Sequence, residues 1–162
     1  MKKLFFIGVM STLLLTACGE EKASPDANKS GLEKEVAQEV KSEYPFPESD
    51  LIGEATITVS TPAGDSSNGN VPVLFVESDD ILTQIGIDYE NFDGNIETYV
   101  YINKIFYSKE QAGELMQSSL SLSENNLKPG DYTVTAVQFT DNDPTKEPVT
   151  VSEAKFKIEE SK

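Results

Sequence analysis

The chain of 162 residues contains no histidine, no arginine and no tryptophan, and its single cysteine is Cys18. Without histidine, neither a Ser-His-Asp nor a Cys-His triad can be built, and the usual catalytic zinc sites need histidine or several cysteines. Without arginine there is no planar group for bidentate binding of phosphate. Paired carboxylates hydrolyse glycosides in some enzymes, but nothing in this sequence marks one particular pair. We therefore expect the protein not to be an enzyme.

Positive charge is also scarce. Thirteen lysines stand against 28 acidic residues, which gives a net charge of −15 at pH 7. Such a chain is a poor partner for nucleic acid, because the phosphate backbone is bound through basic patches. It should also be repelled by an anionic membrane surface. The charge favours a cationic protein or peptide as the partner.

The first 17 residues have the order of positive charge, apolar run and small residues that is typical of a secretory signal. Lys2 and Lys3 supply the charge, and residues 4–15 are mostly apolar. This run is shorter than the ~18–20 residues that span a bilayer. The motif Leu15-Thr16-Ala17-Cys18 resembles the lipobox of bacterial lipoproteins. The resemblance implies that the thiol of Cys18 receives a diacylglyceryl group and that the chain is cut between Ala17 and Cys18.

Lipidation at Cys18 would determine where the protein resides. Two buried acyl chains, such as palmitate, hold a protein stably at roughly 0.8 kcal/mol per buried CH₂. We therefore expect a protein anchored to the outer face of a bacterial cell membrane, with covalent acyl groups and no other cofactor. A composition with lysine but no arginine, and with many asparagines, is typical of a Gram-positive genome. An ordinary signal peptide with an unmodified cysteine is the alternative.

Residues 18–50 contain few large apolar side chains and are rich in Glu, Lys, Ser, Asp and Asn. Such a composition buries too little surface to offset the entropy of ordering a chain, so we expect a flexible tether. A short amphipathic helix over residues 32–42 is an alternative for part of it. The motif Tyr44-Pro45-Phe46-Pro47 is stiffer, because each proline fixes φ. We expect it to end the tether and to dock its aromatic rings on the following domain.

From residue 51 to residue 162 the pattern changes to one of short strands, which predicts an all-β domain. The alternating or apolar segments are 55–60, 71–76, 83–89, 97–107, 119–123, 132–137 and 154–159. About seven strands separated by turn residues predict an antiparallel β-sandwich. Ser108-Lys109-Glu110-Gln111 has the form of a capping box, which predicts a turn or two of helix between strands. An irregular crossover is the alternative for that segment.

The motif Leu127-Lys128-Pro129-Gly130-Asp131-Tyr132 resembles the E–F corner of fibronectin type III and other immunoglobulin-like domains. The resemblance implies an immunoglobulin-like sandwich in which Leu127 plugs the core and the Tyr132 hydroxyl bonds back to nearby backbone. The chain departs from the antibody pattern, because it has no core disulfide and no tryptophan. Another all-β fold, such as a jelly roll, is the alternative.

Acidic loop residues are the candidate metal ligands. Asp88, Asp93, Asp141 and Asp143 lie in or near predicted loops, and calcium prefers several such oxygen ligands. When Gly94 is aligned with the glycine of an EF-hand loop, however, Tyr89 falls in the first ligand position. The EF-hand pattern therefore fails. We expect a solvated acidic surface and no bound metal, with calcium as the alternative.

These observations predict a membrane-anchored, non-enzymatic binding or assembly module whose loops contact a partner. Two other functions stay open. Some Gram-positive bacteria trim lipoprotein signal peptides to short apolar pheromones, and residues 9–17 are mostly apolar and end beside the lipobox. The third function is that of an accessory subunit in an envelope transport or secretion complex.

Overall fold

The structure is a computed structural model that describes residues 43–161. The leader, the lipobox with Cys18, most of the tether and the predicted helix at 32–42 lie outside the described residues, so these remain predictions. Between residues 43 and 161, no helix is long and apolar enough to cross a membrane.

Nine strands follow one another in this part of the chain. They are β1 (Thr56–Thr61), β2 (Gly64–Asp65), β3 (Val73–Val76), β4 (Leu82–Glu90), β5 (Thr98–Ile102), β6 (Ile105–Glu110), β7 (Leu115–Ser123), β8 (Gly130–Phe139) and β9 (Pro148–Glu160). The helical elements among the same residues are three short 3₁₀ turns at Ser67–Gly69, Glu124–Leu127 and Thr140–Asn142.

The strands form two sheets. One has the order β2-β1-β4-β7 and the other the order β3-β9-β8-β5-β6. All pairs are antiparallel except β3 and β9, which run parallel from Val73↔Lys157 to Val76↔Glu160. The prediction of an all-β, immunoglobulin-like sandwich is confirmed, although it expected about seven strands and only antiparallel pairing.

The extra strands have local causes. The predicted strand at 97–107 is divided into β5 and β6 by Asn103 and Lys104, whose φ angles are +49° and +67°. Two consecutive residues with positive φ make the type of tight turn that joins hairpin strands. Strand β2 has only two residues, which is too short to produce an alternating pattern.

Side chains at alternate positions fill the space between the sheets. On β4 these are Ile85, Ile87 and Tyr89, and on β9 Phe156 and Ile158 are equally buried. Burial of apolar surface contributes about 25 cal/mol per Å². Because Cys18 is the only cysteine, no disulfide within the chain supplements this packing.

The corner between β7 and β8 has the geometry that the immunoglobulin-like resemblance implies. Leu127 is buried, and the Tyr132 hydroxyl donates to the Lys128 carbonyl oxygen over 2.7 Å. The Tyr132 ring stacks on Phe156 with 5.1 Å between the ring centroids. The corner therefore fixes the start of β8 against the core.

The helical turn predicted from the capping-box motif is wrong. Ser108, Lys109 and Glu110 belong to β6, which pairs with β5 from Ile102↔Ile105 to Thr98↔Glu110. Residues 111–114 then cross to β7 as a loop whose Ala112 is fully buried. In this pairing Ser108 lies opposite Val100 and Lys109 opposite Tyr99, so tertiary context outweighs the local capping signal.

At two buried tyrosines, Tyr132 and Tyr89, removal of the hydroxyl group should have different effects on stability. The Tyr132 hydroxyl has its bond to Lys128, whereas the Tyr89 hydroxyl is buried with no hydrogen-bond partner among the described residues. Burial raises the pKa of Tyr89, so its hydroxyl stays protonated. Tyr132→Phe should cost about 1 kcal/mol of unfolding free energy, while Tyr89→Phe should cost nothing or stabilise the fold by about 1 kcal/mol. Urea unfolding measures both, and equal losses would contradict the assignment.

Candidate functional site

Three loops meet at one end of the sandwich. They are residues 91–97 between β4 and β5, residues 111–114 between β6 and β7, and residues 140–147 between β8 and β9. We call these three loops the acidic loop end. They carry six acidic side chains and one lysine, namely Asp93, Glu97, Glu114, Asp141, Asp143, Glu147 and Lys146.

The side chain of Gln138, near the end of β8, holds the 91–97 loop in place through hydrogen bonds. Its side chain is fully buried. The amide nitrogen donates to the carbonyl oxygens of Asp93 and Ile96 at 2.8 and 3.0 Å and contacts Thr98 Oγ1 at 3.1 Å. Its amide oxygen accepts from the Asp93 backbone N–H at 3.2 Å. One buried side chain therefore satisfies three backbone groups of the 91–97 loop, at Asp93 and Ile96.

The loop at 111–114 is bonded to the same segment. The backbone N–H groups of Asn91 and Phe92 donate to the carbonyl oxygens of Glu114 and Gly113 at 2.9 and 3.2 Å. The Gln111 side chain donates to the Gly94 carbonyl oxygen at 2.6 Å. A Cβ atom on Gly94 would lie 3.6 Å from the Gly113 Cα, so the two loop backbones pass close to each other.

Asn142 connects the third loop to the first. Its side-chain oxygen accepts from the Glu97 backbone N–H at 2.8 Å, and its carbonyl oxygen accepts from the Tyr99 hydroxyl at 2.8 Å. Burial, followed by the nearby Glu97 carboxylate, raises the pKa of Tyr99 to about 12. The hydroxyl therefore stays protonated as a donor. Asn142 and Asp141 both have φ near +57°, a region that Asn and Asp tolerate better than most residues.

Hydrogen bonds within the loops keep two of the carboxylates ionised. Asp93 Oδ1 accepts from the backbone and the side chain of Asn95, both at 2.9 Å. Asp143 Oδ1 accepts from the hydroxyl and the backbone of Thr145 at 2.7 and 3.0 Å. Bonds from Asn95 lower the pKa of Asp93, and bonds from Thr145 lower the pKa of Asp143. Both side chains are therefore charged at neutral pH.

Few cations neutralise this end. Lys146 Nζ pairs with Asp141 Oδ2 at 2.7 Å, and Lys109 of β6 pairs with Glu97 at 3.2 Å. The bond to Asp141 raises the pKa of Lys146. The other described lysines are Lys104, Lys128, Lys155 and Lys157, which lie toward the opposite end of the strands. The loop end therefore has a strong excess of negative charge.

The structure brings together three of the four candidate calcium ligands. Asp93, Asp141 and Asp143 lie in the acidic loop end, whereas Asp88 lies on β4 and accepts from the Gln117 side chain at 2.8 Å. In the described part of the chain, no group of three or more His, Cys, Asp or Glu side chains is placed to hold a metal ion.

Sequence reasoning missed the side chains that connect the loops. The sequence pattern assigns Gln111 to a capping box and Asn142 to an acidic loop, and it gives Gln138 no role, although one signal for Gln138 is present. It is an amide in the otherwise apolar run Ala136-Val137-Gln138-Phe139. A polar residue in such a run indicates a buried hydrogen-bonding requirement.

The comparisons with known proteins give similarity to solved structures only. No family model and no curated protein matches the chain. One similar structure is that of the fibronectin(III)-like modules of Clostridium thermocellum CbhA, with a TM-score of 0.38 and 6% identity over 67% of this chain and 99% of that chain. Another is the CARDB domain of PF1109 from Pyrococcus furiosus, with a TM-score of 0.39 and 18% identity over 72% of this chain and 96% of that chain.

The role of Gln138 predicts a large effect for a small change. Gln138→Leu keeps the approximate volume but leaves backbone groups of Asp93 and Ile96 unpaired, which should cost about 2–4 kcal/mol of unfolding free energy. Amide hydrogen exchange in residues 93–97 should also become faster. The matched control is Gln84→Leu, which removes one exposed bond to Ser121 and should change stability by less than about 0.5 kcal/mol. Equal effects of the two substitutions would contradict the assigned role.

Proposed function

We propose that this protein is an extracytoplasmic, lipid-anchored binding module without enzymatic activity, and that its acidic loop end binds a cationic protein or peptide. The observation that carries the proposal is the group of six acidic side chains on three interlocked loops with a single lysine among them. Electrostatic complementarity of this kind increases association rates and selects partners by charge.

The bonds between the loops support a binding role. The 91–97 loop is joined to β8 through Gln138, to the 111–114 loop through Gln111 and to the 140–147 loop through Asn142. A surface that is already ordered loses less conformational entropy when a partner binds. The backbone is therefore held in place while the carboxylates face solvent.

The membrane anchor in this proposal rests on the sequence. The charged start, the apolar run and the lipobox-like residues before Cys18 support lipidation at that cysteine. The absence of histidine and the consumption of the only thiol by lipid support a function without catalysis.

Charge-matched variants test the binding surface. In the triple variant Asp141→Asn, Asp143→Asn and Glu147→Gln, the loop end loses three charges, while the amide oxygens can still accept the bonds from Thr145. Affinity for a fluorescent oligolysine peptide should fall about tenfold, and it should fall further as NaCl rises from about 50 to about 300 mM.

The control variant is Glu77→Gln, Asp79→Asn and Asp80→Asn, which removes the same charge from the turn between β3 and β4. It should lose much less affinity for the oligolysine peptide. If both triple variants weaken binding equally, the attraction belongs to the net charge and the loop end is not the site.

The anchor has a separate test. Cys18→Ala should release the protein into the medium or leave it as an unprocessed precursor, because no lipid can be attached. Cell fractionation and intact-mass analysis measure both outcomes, with Ser30→Ala as the control that should behave like the unaltered protein. Unchanged fractionation and mass for Cys18→Ala would exclude the lipid anchor.

A further inference from the structure

A second apolar cluster lies on the outer face of the five-stranded sheet, away from the main core. We call its sheet side chains the platform, which comprises Tyr99, Tyr101, Phe106, Val137, Phe139 and Val151. Residues 43–52, which we call the strap, lie across it. Tyr44, Phe46 and Ile52 of the strap pack on the platform. The docking predicted for the Tyr-Pro-Phe-Pro motif is confirmed by these contacts.

Ring contacts hold the N-terminal half of the strap. The Tyr44 ring lies 4.3 Å from the Phe106 ring, measured between centroids. The Phe46 ring meets Tyr101 edge-on at 5.2 Å. Aromatic pairs in these geometries contribute roughly 0.5–1.5 kcal/mol beyond the burial of their area.

Polar and charged contacts match the strap to the platform. The Tyr101 hydroxyl donates to the Pro45 carbonyl oxygen at 3.1 Å, and burial raises the pKa of Tyr101 to about 12, so the donor proton is retained. Lys104 pairs with Glu48 at 2.8 Å and lies over the Phe46 ring at 5.2 Å. Lys109 lies over the Tyr44 ring at 5.7 Å.

Lysines that contact the strap lie beside the platform, although the protein as a whole is acidic. Two of the six described lysines, Lys104 and Lys109, flank the platform, and the strap carries Glu43, Glu48 and Asp50. An acidic strap therefore meets local positive charge on an otherwise acidic domain.

The strap is attached to the sheet by few backbone bonds. Its only backbone–backbone hydrogen bonds to the described residues join Ile52 and Val151, at 3.0 Å in each direction. The next residue, Gly53, is exposed and has a φ of +85°, a conformation that glycine adopts without strain. Side-chain contacts hold residues 43–51, and a glycine follows the last bond.

We propose that the platform is a docking site for an extended aromatic–proline segment, that the strap is its ligand within the same chain, and that the strap of a second copy occupies it by exchange. Prolines that fix an extended backbone and aromatic-lined grooves that accept it are a recurring mode of peptide recognition. A second copy offers the same rings and the same carbonyl oxygen, the same Glu48 carboxylate to Lys104 and the same Tyr44 ring to Lys109.

A strap in the same chain competes strongly with any added peptide. A covalently attached segment acts as a ligand at millimolar effective concentration. An added peptide should therefore bind poorly to the unaltered protein. It should bind well when the rings of the attached strap are removed.

The first experiment uses a fluorescent peptide with the sequence of residues 43–52. The full chain with Tyr44→Ser and Phe46→Ser should bind it at least about tenfold more tightly than the unaltered chain does, as measured by anisotropy. The control peptide has serine at both aromatic positions and should not bind. Near-UV circular dichroism establishes that the double variant is folded. A folded variant that binds the two peptides equally overturns the proposal.

Charge reversal tests the orientation of the docked segment. When Lys104→Glu and Lys109→Glu are added to the double variant, affinity for the strap peptide should fall about tenfold. The matched control is Lys128→Glu with Lys157→Glu, which makes the same charge change at two lysines outside the strap contacts and should leave affinity nearly unchanged. Equal losses from both pairs overturn the proposed contacts.

Exchange between copies is measured on a chain whose strap keeps its aromatic character. A photoreactive phenylalanine at position 46 is introduced into isotopically light and heavy protein, and the two are mixed at rising concentration. Crosslinks from heavy position 46 to light peptides around Tyr101 should increase with concentration. Crosslinks that remain within one chain up to millimolar protein overturn the exchange between copies, whether or not the double variant folds.

Discussion

The pairing of β8 with β9 is the interaction on which the other parts of the structure depend. It runs without a break from Gly130↔Ile158 to Gln138↔Thr150. Along this one strand, Tyr132 makes the corner, Val134 and Ala136 fill the core, and Gln138 holds the loop end. The side chains that point the other way, Val137 and Phe139, belong to the platform. Side chains on both faces of β8 therefore pack against other parts of the protein, which explains why the second half of the strand is buried throughout.

The loop end can be both acidic and rigid, because carboxylates carry its charge while uncharged groups form the bonds between its loops. The bonds between loops use backbone groups and the amides of Gln138, Gln111 and Asn142, none of which is charged. Among the described residues, the carboxylates of Asp93 and Asp143 accept hydrogen bonds within their own turns. Repulsion between them acts across solvent, where salt screens it, so it opposes the interlocking of the loops only weakly.

Local pattern was enough to predict the class of fold but not the bonds that connect distant segments. The alternation at 83–89 corresponds to β4, and the aromatic residues of the Tyr44–Pro47 motif dock as expected because proline restricts the backbone whatever surrounds it. The capping box at Ser108 failed, since sheet pairing of β6 outweighed a local signal. The loop aspartates were visible in the sequence. Gln138 acts on residues 40 to 45 positions away, a relation that no local pattern contains.

The placement of the strap also determines how the domain would respond to mechanical load. A pull on the chain before residue 43 would load the described contacts of Tyr44, Pro45, Phe46 and Glu48 first, and then the two bonds between Ile52 and Val151. The rings of Tyr44 and Phe46 would detach from the platform one after another. Peeling ten residues would lengthen the connection by roughly 30 Å while the two sheets remained intact. The strap would therefore extend under load before either sheet begins to unfold.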